Sequence, residues 1–577
     1  MIKIFKKYLK PYAGNVGLVI FLTIITTLGS LVLPMLSKNI IDEGAVASNS
    51  ETITRTMIIM LIVAAVTVGL SVLTNYLSTK VAMGFSKDLR DGFFLHVASL
   101  SQGDINKIGS SSLISRQTND IQQLQLLTTQ LLQMVLTAPV MAIGGILMAL
   151  LTAPSMSWMI VVMLPIVITV LVVILNKVRP SFSESLKKLD TVNRIIRENL
   201  YGMRVVRAFN REEYEEKHFD EANQAYRGLA ENVNKLMLSL APILTGIVNG
   251  MNLLILYFGS RYMDDQIVSF GDVQAFIQYV SMILLACMLC SMLMLFIPRG
   301  QIAAERINQV LDTVPSIRDP EKPVSIPDNA ESSIQFKDVT FYYEGAEEPV
   351  LSSISFSAKK GEKLAIIGGT GSGKSTILNL ITRDYDVSSG EILVDGVDIR
   401  QLRLQELHDR LAVVPQKAFL FAGSIFDNIR YGKEDATVEE VEHALYISQS
   451  KEFVDQKDYG MYTYITPSGT NVSGGQKQRL AIARALIRHP DLYLFDDSFS
   501  ALDFKTDAKI RKLLKAETKD AVMIVVAQRV STIKDADRII VLDAGKIAGI
   551  GTHDELMETC DIYREIALSQ TAEKEDN

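Results

Sequence analysis

Five stretches of this chain carry no charged residue: Gly14 to Leu36, Thr56 to Ser78, Ile121 to Asn176, Leu236 to Ser260 and Val273 to Pro298. A bilayer core about 30 Å thick takes about 20 apolar residues per helix, so the third stretch is long enough for two spans and each other for one. That predicts six. The long stretch divides at "TAPSMSW" (Thr152 to Trp158), where proline and small residues permit a tight turn, giving spans Leu131 to Leu151 and Trp158 to Asn176. The apolar excess behind the 48% apolar composition sits almost wholly in this half, before Arg299.

Lys and Arg collect in "MIKIFKKYLK", in Lys80 to Arg116 and in Lys177 to Lys235, whereas "RYMDDQ" (Arg261 to Gln266) is short and acidic. Positive segments stay inside, so both termini are expected in the cytoplasm and the protein in the cell (inner or plasma) membrane, as a multi-pass chain. The basic N-terminus reads as a topology signal beside a span, not as a nucleic-acid site, and no nucleic-acid partner is expected. The first apolar stretch is too long for a cleaved signal peptide and should remain as a span. Cys287 and Cys290 have CxxC spacing inside the sixth stretch, where helix packing is the reading, and the six histidines form no ligand-spaced cluster.

The polar segments between spans two and three and between spans four and five keep helical periodicity, as in "LISRQTNDIQQLQLL" and "VNRIIRENLYGMRVVRAF". They are expected to be membrane helices continuing into the cytoplasm, joined by a short turn or cross-helix near Ile105 to Ser112 and near Tyr201 to Ala208. The alternative is a solvated loop. Residues 1–311 then form the membrane domain, and Asp312 to Ser333, with prolines at 315, 320, 323 and 327, a linker. From Ile334 to the end, 334–577, the pattern becomes short β-branched runs: "SIQFKDVTFYY", "KLAIIG", "LAVVP", "LYLF", "AVMIVVA" and "RIIVLD". Amphipathic stretches alternate with them, which predicts an α/β domain with a largely parallel sheet.

"GGTGSGKST" (Gly368, Gly369, Thr370, Gly371, Ser372, Gly373, Lys374, Ser375, Thr376) fits the P-loop pattern after the strand "KLAIIG". Its glycines let backbone N–H groups curl around phosphates at a helix start. Lys374 adds charge for the outer phosphates and the Ser375 hydroxyl suits Mg2+. The domain is expected to bind ATP. "LYLFDD" ends a buried strand that presents Asp496 to the metal. In "VTFYY", Tyr343 is a better candidate than Tyr342 to stack on adenine, with strand packing as the alternative for either. "NVSGGQKQRLAIARAL" (Asn471 to Leu486) opens a basic helix at Ser473, Gly474, Gly475 and Gln476, a second helix start with free N–H groups.

Together these motifs resemble the ATP-binding cassette, with "VSGGQ" (Val472 to Gln476) in place of its LSGGQ signature, "VVPQ" (Gln416), "SALD" (Ser500 to Asp503) and "VVAQRVST" (Val525 to Thr532). Six spans before a cassette look like one half of an ABC exporter of the bacterial multidrug type, over nearly the whole chain. The resemblance implies an all-α membrane domain of six long helices, type I exporter-like, followed by an α/β P-loop cassette. It implies an ABC-type transport ATPase with ATP and Mg2+ as cofactors, two cassettes pairing head to tail, and each ATP between one P-loop and the other chain's signature. Asp503 would then reach across the dimer, and Gln416 would contact the metal or the attacking water.

Two positions depart from that family. Its general base is Glu after the metal-binding Asp, and here Asp497 stands there; its switch histidine is replaced by Gln528. The two carboxylic acids differ by only about 0.4 pKa units, but Asp is shorter by roughly 1 Å, and such a misplacement costs on the order of a hundredfold in rate. Gln donates a hydrogen bond without carrying charge. A third departure is "TPSGTN" (Thr466 to Asn471), where exporters commonly carry a Glu-containing run. The expectation is a degenerate, slowly hydrolysing site, a signature still able to complete an active site elsewhere, and a second, non-identical six-span subunit bearing Glu and His. The other expected partners are membrane lipid and a small amphipathic substrate, drug or lipid. Asn249, Asn252, Gln278 and many Met residues lie in the spans, and the lack of mid-span charge argues against an ion pathway. Rival readings are a homodimeric lipid or peptide exporter and a non-transporting membrane ATP sensor.

Overall fold

The computed structural model describes residues 1–327 and 333–575, so part of the linker expected at 312–333 lies outside the described residues. The chain divides into two compact units, Met1–Ala98 with Ser110–Thr313, and Ser99–Gly109 with Val314–Asn577.

The first unit holds six helices long and apolar enough to cross a membrane: Lys10–Val46, Ser50–Ala98, Ser110–Thr152, Trp158–Ala208, Glu212–Asp264 and Phe270–Leu311. Apart from the breaks at Pro34, Pro165, Pro180, Pro242 and Pro298, helical geometry pairs their backbone groups within each helix, which is what hydrocarbon requires. Large apolar side chains such as Leu61 and Val161 point outward, about 70% exposed, and suit lipid. Between helices the core is shared by Met156, Met163, Phe276 and Ile283, and the buried Tyr279 hydroxyl donates to the Leu31 carbonyl at 3.1 Å. The turn expected at "TAPSMSW" is present as a 3-10 turn over Pro154–Met156.

The polar extensions are helical, but the two expected cross-helices fare differently. A separate short helix runs over Gln102–Ile108, opened by a capping box between Ser101 and Asp104 and closed by Gly109 at φ 84°. The segment Tyr201 to Ala208, by contrast, continues the helix that begins at Trp158. The chain reverses only at residues 209–211, where Asn210 takes the left-handed conformation at φ 52°. Gly202 inside a long helix costs only about 1 kcal/mol and does not break it, whereas Asn tolerates positive φ.

In the second unit a six-stranded sheet runs, edge to edge, Lys546–Gly551, Arg538–Asp543, Lys363–Gly368, Val522–Val526, Leu492–Asp496 and Leu411–Val414. Four of its five neighbouring pairs are parallel. The four inner strands are buried on both faces, which is why they read as unbroken apolar runs. Alternate residues feed two cores: Tyr493 and Phe495 enter one, Leu492 and Leu494 the other. The antiparallel sheet built on Ser333–Phe341, Leu351–Lys359 and Ser389–Val394 was not visible as a separate layer in the apolar pattern.

Candidate nucleotide site

The strand Lys363–Gly368 delivers the chain into the P-loop, and Gly373, at φ 97°, caps the helix Lys374–Ile381. Gly371 also has positive φ, at 82°, a conformation that side chains resist. At Gly368 the constraint is space: a Cβ there would lie 2.2 Å from the Leu542 carbonyl oxygen and 2.7 Å from Ser372 Oγ. Gly369 meets nothing within 4 Å, and Thr370 beside it is exposed. Lys374 Nζ donates to the carbonyls of Gly368 at 2.9 Å and Gly369 at 2.7 Å. Burial lowers the Lys374 pKa, against the pull of Asp497 and Asp496.

A phosphate and a hard cation fit these residues. Ser372 Oγ is buried and finds no hydrogen-bond partner among the described residues, so the loop keeps a polar atom for a ligand. The Ser375 hydroxyl donates to Asp496 Oδ1 at 3.1 Å, placing two hard oxygen donors together, the set Mg2+ prefers. Burial pushes the Asp496 carboxyl above the usual range and adjacent Asp497 pushes it further, while Ser375 and Lys374 pull the other way. A divalent cation would relieve that clustering of negative charge.

Asp497 sits at φ 44°, only 8% exposed, with its N–H on the Val526 carbonyl at 2.9 Å. Two amides converge on one of its oxygens. Gln528 Nε2 donates to Oδ2 at 3.0 Å and Gln416 Nε2 at 3.3 Å. The three residues singled out for the γ-phosphate are thus brought together, with Gln416 aimed at Asp497 and through it joined to the Asp496 and Ser375 pair. The C-terminal helix Asp561–Glu575 holds the switch segment from outside, Gln570 bonding the Gln528 carbonyl at 2.7 Å and the Val530 N–H at 2.8 Å.

Tyr343 lies beside the P-loop, its hydroxyl 3.2 Å from Thr376 Oγ1. Its ring meets Phe341 and Tyr385 edge-on at 4.9 and 5.3 Å. Tyr342 is 42% exposed and pairs through its N–H with Ser388.

The signature forms its own helix start. Ser473 caps Gly474–Leu486 in a reciprocal box with Gln476, the Ser473 N–H donating to Gln476 Oε1 at 3.0 Å. Gly474 is open on its Cβ side, and Gly475 would bring a Cβ to 3.2 Å from the Ala501 carbonyl of "SALD". Asp503 caps the next helix, Phe504–Glu517, through the Thr506 N–H, and that bond holds its carboxyl below the usual range. "TPSGTN" satisfies itself: Thr466 and the Tyr464 carbonyl both bond the Asn471 amide.

Two positioning residues escaped the sequence reading. Gln478, 2% exposed, donates to the Pro415 carbonyl at 3.1 Å, tying the signature helix to the residue before Gln416. Ser498, fully buried, bonds the Val414 carbonyl at 2.7 Å, so the turn after Asp497 is pinned to the neighbouring strand. A buried Gln or Ser in a motif otherwise explained by its neighbours was the only available signal.

A P-loop with a metal-suited Ser–Asp pair, followed in the same α/β unit by a second exposed helix start and accompanied by six membrane-length helices, defines an ATP-driven membrane transporter. The model of the ABC transporter transmembrane region matches residues 16–287, and that of the ABC transporter residues 351–500. An uncharacterized ABC transporter ATP-binding protein of Mycobacterium tuberculosis (strain CDC 1551 / Oshkosh) is 38% identical over 574 residues, spanning 99% of this chain and 98% of that one. A multidrug efflux ATP-binding/permease protein of Mycobacterium bovis (strain BCG / Pasteur 1173P2) is 30% identical over 94% of this chain and 45% of its own length. A solved bacterial Atm1-family ABC exporter with ATP bound superposes with a TM-score of 0.80 at 24% identity, covering 97% of this chain and 98% of that one. The chain belongs to the ABC transporter family, as an exporter half-transporter with a transport-ATPase cassette. It is a multi-pass membrane protein.

Proposed function

We propose that this chain is the degenerate-site subunit of a heterodimeric exporter that moves hydrophobic or amphipathic compounds out of the cell by alternating access. Residues 1–311 would form the membrane domain, 312–333 the linker and 334–577 the cassette, with both termini cytoplasmic. The observation that carries this reading is the pair of amides on Asp497 Oδ2. A base must accept a proton from the attacking water, and an oxygen already accepting from Gln416 and Gln528 on a side chain one methylene short is poorly placed to do so.

Tyr343, the P-loop from Gly368 to Thr376, Lys374 and Ser372 would hold the nucleotide, and Ser375 and Asp496 the Mg2+. Bound there, Mg2+ would supply charge neutralisation at the outer phosphates. This chain's own residues would then retain ATP and turn it over slowly, so that the nucleotide acts as glue between cassettes. The Ser473, Gly474 and Gly475 N–H groups, with Gln476, would face the partner's P-loop, and Asp503 would reach across the dimer. The kinship with a multidrug efflux protein supports an amphipathic substrate.

The test is purification of the tagged chain from its native membranes. A second six-span cassette chain bearing Glu and His at the positions equivalent to Asp497 and Gln528 is expected to accompany it. Stable dimers of this chain alone, hydrolysing ATP at full exporter rates, would overturn the reading.

A further inference from the structure

Three helices of the membrane unit enclose a groove of about 240 Å3 whose eleven lining residues include ten that are polar, none charged, and a single methionine. Thr23, Thr27 and Ser30 come from the first long helix, Thr74 and Asn75 from the second, and Gln133 from the third. All lie within charge-free stretches. Thr23 to Ser30 covers about 10 Å of helix at 1.5 Å per residue, so the groove is as long as a small head group. Its walls are tightly set: a Cβ on Gly29 would lie 2.6 Å from Thr67 Oγ1, and Thr23, Thr27 and Thr74 are each under 7% exposed.

Polar side chains at such a depth are expensive and mark sites or helix contacts. Here the hydroxyls are not used between helices. Thr23 donates to Val19 O at 2.7 Å, Thr27 to Thr23 O at 2.7 Å, Ser30 to Thr26 O at 3.0 Å and Thr74 to Leu70 O at 2.8 Å. Thr26 and Thr137 do the same within their own helices. A hydroxyl has one proton, and each of these is spent on its own backbone, leaving oxygen lone pairs as the groove's main offering. With the carbonyl oxygens of Asn75 and Gln133, lone pairs outnumber the donors that remain, which are the amide N–H groups of those two residues and the Thr67 and Ser71 hydroxyls. The lining has no Lys or Arg to pair with a phosphate or sulfate, so an anionic head would lose its hydration with no counter-charge to offset it.

We propose that this groove is a binding site for the hydrogen-bond-donor head, N–H or O–H, of an amphipathic molecule whose apolar tail lies against the neighbouring exposed apolar surface. It rests on the reading of the chain as an exporter of amphipathic compounds and narrows their class. The acceptors would replace the water lost by the donor head, as oxygen ligands do for ions in membrane pores.

The experiment compares two radiolabelled probes of equal charge and chain length: dodecylammonium, with three N–H donors, and dodecyltrimethylammonium, with none. Retention by lipid nanodiscs carrying the full chain with its co-purified partner is measured against empty nanodiscs. Saturable retention of dodecylammonium at least about tenfold tighter than of the trimethyl probe is expected, the equivalent of one or two hydrogen bonds. Thr27→Val with Thr74→Val, which keeps shape and removes two acceptors, should abolish that preference, while Thr27→Ser with Thr74→Ser should retain it. Equal retention of both probes by the unmodified protein, or a preference untouched by the valine pair, overturns the proposal. Failure of the exporter reading shows separately: saturable donor-selective binding with no ATP-dependent movement of dodecylammonium in vesicles would leave the site standing and remove transport.

Discussion

The Gln528 side-chain amide donates to Asp497 Oδ2 at 3.0 Å, so the two residues that depart from the family pattern are direct partners. The uncharged amide holds the shorter carboxylate on its own side of the site. Repairing one alone should therefore do little. Asp497→Glu with Gln528→His is expected to raise turnover at this P-loop by about tenfold or more, up to the hundredfold that a 1 Å misplacement costs. Either single change should give less than a few-fold. Single-turnover hydrolysis in a complex whose other site is disabled measures it.

Asp496 gives a pH signature. Burial beside Asp497 raises its pKa in the folded chain, so between the unfolded and folded values the folded state binds more protons and stability falls as pH rises. At neutral pH the ionised Asp496 therefore costs stability in the absence of metal. Asp496→Asn should raise the Tm of the nucleotide-free protein while abolishing Mg2+-dependent nucleotide binding. Mg2+ affinity of the unmodified protein should weaken as pH falls through that raised value, above the ordinary Asp range near 4. A Tm that falls in Asp496→Asn would contradict this.

Gly368→Ala tests the close approach of the P-loop to its neighbour strand. The added methyl would sit 2.2 Å from the Leu542 carbonyl, so the backbone must move, at a cost of about 1–3 kcal/mol. Denaturant unfolding should show that loss, with weakened nucleotide binding. Gly369→Ala, where the space is open, should be far milder.

Gln478→Leu should separate stability from coupling. The change removes the donor to the Pro415 carbonyl, and because Pro415 is exposed water can take its place, so the cost in stability should be about 1 kcal/mol. Because Pro415 precedes Gln416, turnover of the complex should fall further than that instability explains, with nucleotide affinity at the P-loop little changed. Parallel binding and rate measurements decide it.

Most of the fold was legible because its strongest terms are local. Charge-free stretches of membrane length announce spans, and strands such as "LYLF", buried on both faces, announce a parallel sheet. The antiparallel layer was not, since Leu351–Lys359 and Ser389–Val394 interrupt their apolar residues with Ser, Gly and Glu and depend on partners distant in sequence. The second joint, expected as a short turn or cross-helix near Tyr201 to Ala208, is a turn displaced to Asn210, because a long helix absorbs a single glycine such as Gly202. At the nucleotide site the motifs named the residues, while their mutual bonds stayed hidden. Nothing in "VVPQ", "LFDD" or "VVAQ" tells that Gln416 and Gln528 converge on one oxygen of Asp497, a geometry that three adjacent strand ends create.

The most direct measurement is the steady-state ATPase rate of the co-expressed complex carrying one substitution at a time. Asp497→Ala should reduce turnover only modestly, and replacing the carboxylate at the equivalent position of the partner should nearly abolish it. The reverse ranking, or equal losses from both, would contradict the assignment of this chain's P-loop as the slow site.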